Sequence, residues 1–311
     1  MRVIVALALT LMLGAPQPVP AREVVITIDD LPVGGTVHFS VADCERITRD
    51  LVSALERNAI PAIGFVNEWK LHPAGVVEPR RVAVLRKWLE AGLELGNHSF
   101  SHLDLHATPL DTFEKDVLRG QQVTRALLAE VGRKPEFFRH PFLHTGRTLE
   151  TKHAFEGFLK EHGYRVAPVT IDNYDYMFAN AFDRTKDSAL RRKIADAYLE
   201  YMTDVVKYYE RQSTAIVGRE IRQVLLLHAT ALNAHTLDAL ARMFKTRGYA
   251  FISLERALED PAYKSADTYI GPGGITWLHR WALTNGKRGP FFAGEPIVPA
   301  WIEKAAASPI S

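Results

Sequence analysis

Cysteine is nearly absent: Cys44 is the only one in 311 residues, so no intramolecular disulfide can form. It sits in "SVADCERITRDLVSALERN", an amphipathic helical pattern that predicts a packed core thiol rather than a nucleophile. An excess of one charge is also missing. The 38 basic side chains stand against 36 acidic ones, a net of +2, and no charge run is long enough for an interaction tail. That balance argues against a nucleic-acid binder, which carries a basic patch or stripe. Long apolar runs are scarce. "VIVALALTLML" (3–13) has eleven residues, too few to span a bilayer comfortably, and no other stretch comes closer. Arg2 precedes it, and "GAPQPVPA" breaks the pattern and ends in Val19-Pro20-Ala21. That is the layout of a secretory signal peptide over residues 1–21, leaving Arg22 as the new N-terminus. A membrane anchor or a buried first strand is the alternative. Export without disulfides fits a bacterial periplasm or exterior, so the expected location is periplasmic or secreted, with no stable membrane span after cleavage.

What is present is alternation. The runs "EVVITI" (23–28), "AIGFV" (62–66), "LELGN", "EFFRH", "YRVAPVT", "RQVLLLH" and "YAFISL" read as strands. Between them lie helical patterns: 40–58, which Ser40 can cap, "PRRVAVLRKWLEAG" ending at Gly92, and stretches near 111–131, 148–162, 187–212 and 233–247. In 187–212, Leu190, Ile194, Tyr198, Tyr201, Met202, Val205 and Tyr209 share one face, which predicts a core-facing surface and not a cofactor box. Repeated strand–helix units imply an α/β fold with a mostly parallel sheet. About seven units without a break fit a (β/α) barrel better than two domains, with a doubly wound open sheet as the competitor. After Pro261 the chain becomes rich in Gly, Pro and aromatics. The expected division is a catalytic domain over 22–260 and an irregular C-terminal tail, 261–311, packed on it.

In parallel α/β barrels functional side chains gather in the loops after the strands. Here each such place carries ionisable groups: Asp29 and Asp30, then His98 and His102, then "RHPF", then "DNYDY", then His228. Adjacent Asp29 and Asp30 point in opposite directions if they continue the strand, so one can ligate a metal while the other serves as a base. A lone Asp pair is more often a solvated turn. His98 and His102 are expected on one face of a helical turn. Two neutral imidazoles and one carboxylate leave coordination positions open on Zn²⁺, as in catalytic sites.

The ordered set "TIDD", "HSFSH", "RHPF", "DNYDY" and "LLLH" resembles the five motifs of polysaccharide deacetylases, the family-four carbohydrate esterases, across roughly residues 23–230. The resemblance implies a distorted (β/α) barrel, a divalent metal, usually zinc, and removal of acetyl groups from sugars. Carried over position by position, it makes Asp29 the general base and Asp30, His98 and His102 the metal ligands. Arg139 orients the base, Phe142 offers a backbone N–H to the oxyanion, and Asp175 positions and tunes the acid His228. Leu226 and Tyr176 form the apolar wall.

Departures lie around these groups. Leu31-Pro32 follows the Asp pair where Gly is usual, Tyr176 replaces a typical Trp, and Ala229 replaces a common Asp. They bear on substrate preference rather than on the chemistry. The expected partner is an acetylated glycan: N-acetylglucosamine polymers first, O-acetylated xylan next. A non-catalytic carbohydrate-binding protein on the same barrel and an amide hydrolase for a non-sugar substrate are the competing readings. Asp172 is expected at most to support the fourth motif. His140 and His144 could line the cleft but are expected at the surface or behind it, and His106, His153 and His235 in no catalytic role.

Overall fold

A computed structural model describes residues 22–35 and 40–307. The expected signal peptide, 1–21, lies outside them. Seven parallel strands appear where the sequence places them: β1 (Arg22–Leu31), β2 (Ile63–Val66), β3 (Glu94–Asn97), β4 (Phe137–Phe138), β5 (Arg165–Val166), β6 (Gln223–His228) and β7 (Tyr249–Phe251). Their order is β5-β4-β3-β2-β1-β6, with β7 paired to the start of β1. The sheet curls into a half-barrel. Its two ends meet through a bridge between Ile171 and Leu225, where Thr170 and Ile171 N–H both donate to the Val224 carbonyl at 2.9 and 3.0 Å.

Helices cover the outside: α1 (Val41–Asn58), α2 (Pro79–Glu90), α3 (Leu110–Arg119), α4 (Gln122–Glu130) and α5 (Leu149–Glu161) precede β5. After it come α6 (Asp175–Asp183), α7 (Ser188–Val217), α8 (Ala231–Thr246) and the short α9 (Leu254–Leu258). Ser40 does cap α1, its Oγ accepting from Asp43 N–H at 3.1 Å, and Cys44 is buried on the face that α1 turns inward. The tyrosine stripe of α7 is buried as expected. None of the helices is long and apolar enough, among the described residues, to cross a membrane.

Two helical boundaries differ from the sequence pattern. The single helix expected over 111–131 is broken into α3 and α4 at Gly120. A side chain there would place its Cβ 2.3 Å from the Ser99 carbonyl carbon, so only glycine lets the helix pass the second motif. The second is α6, which starts within the fourth motif at Asp175, where the strand–loop pattern predicts no helix. The tail is largely irregular, yet it holds two eight-residue helices, α10 (Trp277–Thr284) and α11 (Ala300–Ala307). Leu278, Trp281, Val298 and Ile302 of this segment enter the same apolar core as β1 and α7.

Alternation along β1 sets up the site. Val24, Ile26 and Ile28 face the helical layer, while Val25 joins Ile63, Phe65, Phe137 and Val224 inside the barrel. The same parity carries Thr27 and then Asp29 up the inner wall to the mouth.

Candidate metal and acid–base site

Strict alternation would send Asp30 outward, away from Asp29. It does not go there. Asp30 has φ +72°, and the β1–β2 register shifts between Ile28 and Leu31, so the backbone twist returns its carboxylate to the mouth. The second motif also departs from expectation. His98 and His102 sit in an irregular turn, not a helical one, with φ +63° at Ser99 and +56° at His102. Ser99 is more than compatible with this turn: its N–H donates to Asn97 Oδ1 at 2.7 Å and its Oγ accepts from His102 N–H at 3.0 Å. The bend achieves what a helix would have, setting the two rings 4.8 Å apart, edge to face.

His98 Nε2 and His102 Nε2 lie 3.9 and 3.8 Å from Asp30 Oδ1. That oxygen is buried and has no hydrogen-bond partner. His98 Nδ1 is engaged by the Arg139 carbonyl at 2.8 Å, which fixes its tautomer and leaves Nε2 as a bare lone pair toward Asp30. Burial drives both imidazoles below the ordinary histidine range, so they are neutral. Burial pushes the Asp30 carboxyl up, but the Lys70 ammonium pulls it further down, so it is ionised. An orphaned buried carboxylate oxygen between two neutral imidazole nitrogens suits a divalent cation.

Asp29 is buried beside this trio, its Oδ2 3.8 Å from His98 Nε2 and 3.5 Å from Arg139 Nη1. Burial raises its carboxyl to about 6, against the pull of Arg139. The fully buried Arg139 also donates through Nη2 to Thr27 Oγ1 at 2.9 Å and lies over the Phe65 ring.

His228, at the end of β6, faces them across the cleft. Asp175 opens α6 and takes His228 Nδ1 at 2.7 Å and His228 N–H at 2.8 Å. Burial pulls the imidazole down, but the Asp175 charge and hydrogen bond outweigh it and raise His228 to about 10. The stabilisation this gives is therefore complete below the ordinary value of 6.5 and is lost as pH rises through about 10. In Asp175→Asn we expect the His228 ring, followed by NMR titration of chelated protein, to change protonation below 6.5. A midpoint still near 10 would show that another group holds its charge.

The cleft enclosed by these groups has a volume of about 570 Å³, and Phe142, Tyr174, Tyr176 and Leu226 form its less polar wall. Phe142 and Leu143 both have positive φ, +56° and +55°, and Leu143 and His144 N–H are spent on the His140 and Pro141 carbonyls. Leu226 is buried against Leu143, Val169 and Trp277, whereas Phe142, Tyr174 and Tyr176 expose their rings. Asp172 also lines the cleft, its carboxyl pushed up to about 6 by burial. His140 is buried edge-on to Phe138 and Phe155.

Four residues here were not singled out by sequence. Lys70, buried on a short 3₁₀ turn, reaches Asp30 Oδ2 at 3.3 Å and holds the carboxylate with Oδ1 toward the imidazoles. Asn233 donates to Asp175 Oδ2 at 2.6 Å and to the His228 carbonyl at 2.8 Å. Thr27 anchors Arg139. Gly274, in the tail, packs so closely on the third motif that a Cβ would lie 1.7 Å from the Phe142 carbonyl oxygen. Thr27 opens the first motif, and Asn233, five residues beyond His228, carries a cue as a polar residue in the first turn of a helix.

The curled parallel sheet, with ionisable side chains collected at the carboxyl ends of its strands, is consistent with the distorted (β/α) barrel that the motifs imply. Residues 17–167, which include the first three motifs, match the sequence model described as polysaccharide deacetylase. That match covers just under half of the chain and shows a resemblance to polysaccharide deacetylases there. No curated protein matches it. Among solved structures it is similar to the peptidoglycan deacetylase PdaC from Bacillus subtilis, at 18% identity and a TM-score of 0.50, covering 77% of this chain and 91% of that one. It is also similar to a CE4 family pseudoenzyme from Bacillus anthracis, at 15% identity and a TM-score of 0.50, covering 77% and 66%. At these identities the likeness is one of fold.

Proposed function

We propose that this chain is a metal-dependent deacetylase that hydrolyses the N-acetyl groups of N-acetylglucosamine-containing glycans, such as peptidoglycan or chitin fragments. One observation carries the reading: the partnerless Asp30 Oδ1 between two neutral imidazoles, with Asp29 on one side and the His228–Asp175 pair on the other. Asp30, His98 and His102 would hold the cation. Zinc suits that donor set, and such an ion supplies Lewis-acid polarisation of the acetyl carbonyl and makes water more acidic.

The chain's own groups do the rest. Asp29, ionised above about pH 6 and aligned by Arg139, accepts the proton of the attacking water. The Phe142 N–H donates to the developing oxyanion, worth about 3 kcal/mol for one such donor. His228, cationic at neutral pH, gives its proton to the departing nitrogen. An amine leaves poorly without that proton and an alcohol needs it less, so a strongly held imidazolium favours N-acetyl over O-acetyl substrates. The exposed rings of Phe142, Tyr174 and Tyr176 offer flat apolar faces to a sugar. The apolar leader at 3–13 supports an exported enzyme that meets its glycan in the periplasm or outside the cell.

The test is acetate release from N-acetylated chitooligosaccharides, peptidoglycan and O-acetylated xylan, each with and without chelator. Chelator-sensitive release from the first two is expected. Release from xylan alone would convert the reading to an esterase, and none from any substrate to a binding protein. Gly274→Ala should slow release about tenfold or more through kcat, with the cleft's zinc retained, because the added methyl displaces the Phe142 peptide. Wild-type kcat in that variant would show that the loop yields without consequence.

A further inference from the structure

A second group of ligand-type side chains lies outside the cleft just described. Asp104 and His106 follow the second motif, and His144 follows the third. One ligand atom from each falls within 4.8 Å of the others, and none of the three belongs to the first trio. His144 Nδ1 meets Asp104 Oδ1 at 2.7 Å, and the same oxygen accepts from His106 N–H at 2.7 Å. The His106 and His144 rings stack at 3.8 Å with only 8° between their planes.

The state of His106 points to a ligand. Its Nδ1 is buried and has no hydrogen-bond partner. A buried imidazole nitrogen without a partner, beside a carboxylate and a second imidazole, suits a cation. All three side chains are half-buried, so solvent reaches the group and can complete a coordination shell.

We propose that Asp104, His106 and His144 form a second divalent-cation site of the zinc type on the rim of the barrel. Tetrahedral ligands at about 2.1 Å sit roughly 3.4 Å from one another, so loading draws the group together by rotation of the two rings. The His144 Nδ1–Asp104 hydrogen bond is exchanged for two bonds to the ion, with the imidazole proton moving to Nε2. The ion ties the loop after His102 to the loop that carries Phe142, whose ring lies 5.8 Å from that of His144. The site thus braces the third-motif loop through residues that do not line the cleft.

The experiment is zinc stoichiometry of the full chain by mass spectrometry after equilibrium dialysis. Two ions per chain are expected in the wild type, falling to one in His106→Gln/His144→Gln and to one in His98→Ala/His102→Ala. A wild type with a single ion that disappears in His98→Ala/His102→Ala overturns the proposal, as does retention of two ions in His106→Gln/His144→Gln. A single ion lost only in His106→Gln/His144→Gln supports the rim site and overturns the cation reading of the cleft. Should the Gln variants fail to fold, carbethoxylation of wild-type His144 answers the same question. Zinc is expected to slow its labelling about tenfold in a chain whose cleft is blocked by His98→Ala/His102→Ala, and equal labelling with and without zinc overturns the site.

Discussion

In Asp29→Asn, acetate release is expected to fall on the order of 10²–10⁴-fold while the chain keeps its cation. The amide is nearly isosteric with the carboxylate, so the packing against Arg139 and Thr27 survives. It cannot accept a proton, so water in the cleft loses its base. Asp29 is suited to that task because burial lifts its carboxyl to about 6, close to neutrality, while Arg139 limits the rise. The base is thus mostly ionised at pH 7 but more basic than a solvated aspartate. Two readouts check this: kcat on an N-acetylated chitooligosaccharide, and zinc per chain by mass spectrometry. Normal acetate release would end the assignment of Asp29 as the base. Loss of zinc together with activity would place Asp29 among the ligands, where its 3.8 Å separation from His98 Nε2 also brings it.

His98→Ala is expected to empty the cleft site and take activity with it. The ring is buried and contributes Nε2 next to Asp30 Oδ1, and its removal leaves His102 as the one imidazole of the trio beside that carboxylate. One imidazole and one carboxylate hold zinc far less tightly than a set of three. The stability of the chain reports the same event. A cation that binds the folded state alone adds about 2.7 kcal/mol at one hundred times its dissociation constant. Zinc should therefore raise the melting temperature of His106→Gln/His144→Gln, which keeps only the cleft site, by several degrees. Adding His98→Ala to that background should abolish the rise. An equal zinc-induced rise in both proteins would show that His98 is not a ligand.

Much of this was legible in the chain. The seven apolar runs became seven strands because each is a β-rich segment bounded by turn residues, and the ionisable groups placed after them converge because parallel strands all point their carboxyl ends the same way. The relation of Asp29 to Asp30 was not legible. Period-two alternation separates them, and a single left-handed residue, Asp30 itself, reunites them. The second motif shows the same limit. Its spacing suggested a helical turn, yet a bend stabilised by Asn97 and Ser99 brings the rings together instead. Lys70 and Gly274 gave no local signal, because their roles depend on elements far off in sequence.

Local chemistry is written in the residues themselves: which groups can hold a cation, take a proton or give one, and the β1 parity that aims Asp29 into the barrel. The sequence by itself therefore determined the strand order of events along the chain and the cast of the cleft. Only the tertiary structure decided that Lys70 backs Asp30, that Asn233 braces Asp175, and that the tail presses Gly274 onto Phe142. Those contacts join segments 40 to 132 residues apart, and their closeness is created by the curl of the sheet and the packing of the tail, which no local pattern encodes.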